Sequence, residues 1–167
     1  SEAAPILQHL SMDDHLDCPI FEGATIHEAE SAVPDAVIAK TCEYLRTANS
    51  IKIATPTLMI GLIGGLVEDL ANCPDTQIQL SIPQPTYLRA KDTSESLLNR
   101  FVETCNVQLH HTEIPFSFGL WCADMDRIGI IGFSEQGVKG MIVNDDDEAV
   151  RWANRKFDSL TAEAKTK

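Results

Sequence analysis

Apolar and polar positions change period several times along this chain, and each change marks an element. Val37, Ile38, Cys42 and Leu45 recur at helical spacing behind Pro34, whose fixed φ suits a first helical turn, so a helix is predicted over Pro34–Ala48. Ile51–Pro56 is a compact strand signal. Met59, Leu62, Ile63, Leu66 and Leu70 return to helical spacing and predict a helix over Leu58–Asn72, closed by Cys73, Pro74 and Asp75. Gln77–Ile82 alternates and reads as a strand, after which Pro83 and Pro85 predict a loop. Asp92 and Glu95 have capping-box spacing ahead of Leu97, Leu98, Phe101, Val102 and Cys105, which predicts a helix over Thr93–Cys105.

The second half is richer in strands. Val107–His111 reads as one. Phe116–Ala123 alternates, with Phe116, Phe118, Leu120 and Cys122 on one side and Ser117, Gly119, Trp121 and Ala123 on the other. Asp124–Asp126 makes a turn, Arg127–Phe133 returns, and Gly137–Val143 adds a third strand to this meander. Val150, Ala153, Phe157, Leu160 and Ala164 then follow at spacings of 3 and 4, behind carboxylates that suit a helix start, and predict a helix over Asp146–Ala162. A short strand is expected at Cys18–Phe21, ended by Gly23.

The order is a short strand, then alternating helices and strands, then a meander and a final helix. It implies an α/β fold: a mixed, partly parallel sheet with helices on both faces and an antiparallel hairpin extension. A chain of 167 residues fits one domain, since single domains run to roughly 100–200 residues. Residues 1–17 are expected to be a lead-in or linker, 18–162 the domain, and 163–167 a tail.

Composition narrows the function classes. The formal charge of −12 argues against gripping nucleic acid or an acidic membrane, and suits a soluble protein working at high salt, as in a halophile. Five cysteines, an odd number with no CxxC pair, fit a reduced cytoplasm better than a disulfide framework. The longest apolar stretch, Leu58–Val67, has ten residues including three glycines, whereas a spanning helix needs about 20, so no membrane segment is expected.

Candidate chemistry is sparse. There is no GxSxG elbow, and no spacing joins a histidine to a nucleophile and an orienting acid. Gly61, Gly64 and Gly65 lie inside a predicted helix rather than a strand-to-helix turn, which excludes the usual phosphate loops. His110 and His111 point to opposite faces of a strand and cannot easily share an ion, so neither metal nor cofactor is expected. The acidic run Asp145–Glu148 lacks the EF-hand pattern and reads as a solvated helix start.

The run Phe21-Glu22-Gly23, a helix, and then Ile51-Lys52-Ile53-Ala54-Thr55-Pro56 resembles the opening of the C-terminal sensor domain of archaeal TrmB-type transcriptional regulators. The segment from Ala149-Val150-Arg151-Trp152-Ala153 to Phe157 is similar to the tryptophan-bearing last helix of the middle domain in methanogenesis-type archaeal regulators. The resemblance implies a phospholipase-D-like fold. Active members of that fold carry His, any residue, Lys, four residues and Asp. Counting back from Asp124, Ser117 stands at the histidine position and Gly119 at the lysine position. The nucleophile is therefore missing.

The resemblance implies a non-catalytic domain that senses an effector or dimerises, with its DNA-binding winged helix outside this chain. The alternatives are a stand-alone small-molecule-binding or scaffold protein, or a hydrolase with an unrecognised site. A two-fold homodimer is expected, through the Leu58–Asn72 helix or the hairpin side where Trp121 would project. DNA is expected to be met only through the other domain. Ligands of open α/β sheets gather beyond the carboxyl ends of parallel strands. That rule points to Thr55, Thr57, Gln84, Arg89 and His110, with Asp124 lining the same cleft if the hairpin lies beside it. These hydroxyls, amide, imidazole and cation suit a small polar metabolite such as a sugar or sugar phosphate.

Overall fold

The computed structural model describes residues 23–28, 36–58, 64–134, 137–161 and 165–166. The elements run β1 (Thr25–Glu28), α1 (Ala36–Leu45), β2 (Ser50–Ala54), α2 (Gly64–Ala71), β3 (Gln77–Pro83), α3 (Gln84–Thr104), β4 (Val107–Thr112), β5 (Gly119–Ala123), β6 (Arg127–Ser134), β7 (Gly137–Asn144), α4 (Asp147–Thr161) and β8 (Lys165–Thr166). They form one mixed sheet of order β1-β7-β6-β5-β2-β3-β4-β8. Strands β2, β3 and β4 are parallel neighbours, as two strand–helix–strand crossovers require. The β5–β6–β7 meander joins antiparallel to β2 through β5.

Both faces of the sheet are covered, so the central strands are apolar on both sides. Ile51, Ile78, Leu80, Trp121 and Met141 belong to one core layer, shared with Val37 and Leu45 of α1 and Leu98 and Phe101 of α3. Phe118, Leu120, Cys122, Ile130 and Ile142 belong to the other, with Ala149, Ala153, Phe157 and Leu160 of α4. The α4 periodicity is the expected stripe, and the helix lies within one residue of its predicted bounds at each end.

Four readings change. Pro83 and Pro85 do not open a loop: α3 begins directly at Gln84 with a proline in its first turn. The first N–H groups of a helix have no intrahelical partner, so a proline there forfeits nothing. The helix predicted to start at Thr93 is the second half of α3, which kinks at Ser94 (φ −147°, ψ 38°). Trp121 does not project from an exposed hairpin; it is only 1% exposed, because β5 lies between β2 and β6 under the helices. Lys165–Thr166, expected in a tail, pairs antiparallel with β4.

Strand β1, short and mostly polar, carries no alternation to betray it, and pairs with β7. The strand expected at Cys18–Phe21, the start of the Pro34–Ala48 helix and residues 59–63 of the Leu58–Asn72 helix lie outside the described residues.

Candidate functional site

The carboxyl end of β2 meets the start of β5, because Ala54 pairs with Leu120 in the antiparallel register. Beyond Ala54 the chain turns away. The Thr55 backbone N–H donates to the Ser81 carbonyl at 3.1 Å, and the Thr55 hydroxyl donates to the Thr57 carbonyl at 2.7 Å. The Thr86 hydroxyl, in the first turn of α3, donates to the Pro56 carbonyl at 2.6 Å and fastens this turn to the next crossover.

A cavity of about 100 Å³ lies at this junction. Ile38, Thr41, Cys42 and Leu45 of α1 form one wall, and Ile53 and Ala54 of β2 another. Thr55, Thr57 and Leu58 stand where β2 ends, while Gly119, Trp121, Ile131 and Phe133 close the side toward the meander. None of the described lining residues carries a charge. The Thr41 hydroxyl is committed to the Val37 carbonyl at 2.8 Å, and Trp121 Nε1 donates to Met141 Sδ at 3.3 Å.

Glycine at position 119 shapes this space. A Cβ there would stand 3.1 Å from Ile131 Cβ and 3.3 Å from Phe133 Cε2, tighter than ordinary contact. A lysine at this position would therefore start against two side chains of the cavity wall.

Of the expected site residues, the structure unites Thr55 and Thr57 at the cavity. Gln84 begins α3 beyond β3, and Arg89 lies on α3 in a surface crevice with Leu88, Lys91, Asp92 and Glu95. His110 is within β4, opposite Ser81 of β3 and Thr166 of β8, where burial lowers its pKa. Asp124 does not line the cleft. It follows the far end of β5, with φ 55°, and its Oδ1 accepts the backbone N–H groups of Asn49 (2.7 Å) and Ser50 (2.9 Å). The five residues of β5 separate it from Phe118, six steps or roughly 20 Å at about 3.4 Å per residue, so it cannot act with groups at the other end. Its role is to tie the hairpin tip to the start of β2.

The cavity walls from α1 and β6 escaped the sequence reading, since Cys42 and Phe133 look like any core residue. The available signal was Gly119, a glycine at the head of an apolar strand, which marks a close approach or a space. The expected polar metabolite meets an apolar cavity here. Among the described residues no group of three or more His, Cys, Asp or Glu side chains is placed to hold a metal ion. No described helix is long and apolar enough to cross a membrane.

Solved structures with the same fold include NucT from Helicobacter pylori (TM-score 0.67, 12% identity, covering 86% of this chain and 98% of that one). Nuc from Salmonella typhimurium, a phospholipase D family member, aligns with TM-score 0.61 and 8% identity over 87% of this chain and 97% of its own. TrmBL2, an archaeal chromatin protein with a novel mode of DNA binding, aligns with TM-score 0.59 and 13% identity over 96% of this chain. This chain spans 60% of the TrmBL2 chain's length. No curated protein matches by sequence. The family model for the methanogenesis regulatory protein FilR1, middle domain, matches residues 34–163, most of the chain. The chain therefore belongs to the family of the FilR1 middle domain, and it shares its fold with a phospholipase D family member.

Proposed function

We propose that this domain is the non-catalytic, effector-sensing part of a transcriptional regulator whose DNA-binding winged helix lies outside these residues. The observation that carries the reading is Gly119. It stands where the lysine of a working phospholipase-D site would be, Ser117 stands where its histidine would be, and Gly119 lines an apolar cleft. The hydroxyl of Ser117 does not supply the imidazole nucleophile that this chemistry uses.

The regulatory family supports the placement beside a DNA-binding unit, and TrmBL2 supplies a precedent for this fold in a protein that binds DNA. The net charge of −12 repels phosphates, so DNA affinity would come from the other unit. Two-fold self-association belongs to the same reading, because paired half-sites call for a symmetric protein. The burial of Trp121 removes one of its two expected surfaces and leaves the α2 helix.

The test compares the full regulator with residues 1–167 alone by fluorescence anisotropy on the DNA upstream of its own gene, with a metabolite panel added. The full protein binds and responds to a metabolite, and the fragment does not bind at physiological salt. Specific submicromolar DNA binding by the fragment overturns the reading. So does phosphodiester turnover by the pure fragment.

A further inference from the structure

We propose that the cavity between α1 and the end of β2 binds a small, uncharged, apolar molecule. The inference deepens the effector-sensing reading and rests on it for its biological meaning, though not for its chemistry.

Protein interiors are packed like organic crystals, with few voids larger than a water molecule. This space of about 100 Å³ is a cleft that opens partly to solvent, past the half-buried Ile38, Thr55 and Leu58 and the exposed Thr57. Water fills a cavity well only where two to four polar partners await it. Here the hydroxyl protons of Thr41 and Thr55 are already given to the Val37 and Thr57 carbonyls. Apart from Thr57 at the mouth, the other described walls are aliphatic, aromatic, glycine or thiol, and burial pushes the Cys42 pKa up, which favours its neutral form.

The same walls choose the ligand. An ion entering this space would lose its hydration and find no opposite charge, a penalty that dispersion attraction to the walls does not offset. A sugar would leave several hydroxyls unpaired. An alkyl or small aromatic group leaves no polar atom unpaired and is attracted by the wall atoms around it. On the scale at which a cavity of roughly 150 Å³ accepts benzene, this one takes about four carbon atoms. Because the cleft opens partly to solvent at Thr55 and Thr57, a single hydroxyl of a ligand stays in water. Gly119 lets Ile131 and Phe133 of the wall pack close against β5.

The experiment is a backbone-amide NMR titration of the 167-residue chain with 1-butanol and, separately, with butyrate, which carries the same carbon count and a charge. Butanol is expected to shift the amides of Thr41, Ile53, Thr55 and Gly119, and to leave those of the exposed Leu88 and Leu97 in place. Butyrate leaves all of them in place. Filling the space with Cys42→Leu, or from the half-buried α1 position with Ile38→Phe, weakens butanol binding by roughly 10–200-fold, the range for a methylene change in an apolar pocket. Either variant suffices if the other fails to fold. Equal shifts from butyrate overturn the proposal, as does the absence of butanol shifts, or undiminished binding by a folded variant. If butanol binds as described but the full regulator's DNA affinity responds to no metabolite, the sensing reading falls and the cavity assignment stands. If DNA affinity responds to a metabolite while butanol leaves the cavity amides unmoved, the cavity assignment falls instead.

Discussion

Trp121 and Gly129 face each other across the β5–β6 pair, and the indole occupies the space a side chain at position 129 would need. The Trp121 ring also packs against Tyr44 of α1, with centroids 5.3 Å apart, and hydrogen-bonds Met141. One ring thus joins the meander, the sheet and the first helix. The missing side chain at Gly129 is what allows it to lie there.

Gly129→Ala is therefore expected to destabilise at or beyond the upper end of the ~1–3 kcal/mol usual for overpacking, because the new methyl overlaps the indole rather than a flexible chain end. Urea unfolding followed by tryptophan fluorescence measures it. A midpoint within error of wild type would show that Trp121 has another resting place.

Asp124→Ala is expected to cost about 1–3 kcal/mol, since two backbone N–H groups lose a charged acceptor. Asp124→Asn keeps one oxygen and tolerates the left-handed backbone, so it retains much of that stability. Neither change alters ligand binding at the other end of β5. Thermal unfolding and the butanol titration check the two halves separately, and a binding defect in a folded Asp124→Asn protein would return Asp124 to the site.

Stability is expected to rise with pH on passing upward through the ordinary histidine value of 6.5. His27 is held below that value by burial and then by Lys40, and His110 by burial. Between the lowered folded values and 6.5 the unfolded chain binds more protons, so acid favours unfolding, and this contribution is complete only above 6.5. His27 also hydrogen-bonds the Tyr44 hydroxyl through Nε2 at 3.2 Å. The double variant His27→Gln/His110→Gln should flatten the pH dependence of the unfolding midpoint between pH 5 and 7, a window set by the ordinary value of about 6.5. An unchanged slope would assign the effect elsewhere.

Periodicity made the parallel half of the sheet legible. Ile51–Pro56 and Gln77–Ile82 alternate or run apolar within short bounds, and Val150 to Leu160 trace a full helical stripe. The first half of α3 was hidden because Pro83 and Pro85 look like breakers until one knows they sit at a helix start. Trp121 misled because alternation assigns one face to solvent, whereas a central strand covered by helices has no solvent face. Strand order alone pointed to Thr55 and Thr57, which line the cleft beyond β2. Ile38, Cys42 and Phe133 were not, since an apolar side chain reads the same whether it fills a core or borders a space.

Binding without turnover is the central claim, and one measurement addresses it directly. The pure 167-residue chain is screened by thermal unfolding against pools of small metabolites, and each ligand that raises the midpoint is recovered and weighed by mass spectrometry. A ligand at 100 times its Kd adds about 2.7 kcal/mol, a rise on the order of 5–10 °C for a domain of this size. Uncharged, apolar-ended compounds are expected to give this rise, Cys42→Leu to remove it, and the ligand to return with its mass unchanged. Recovery of a cleaved or hydrolysed product at turnover, or stabilisation confined to phosphorylated compounds and untouched by Cys42→Leu, would contradict the claim.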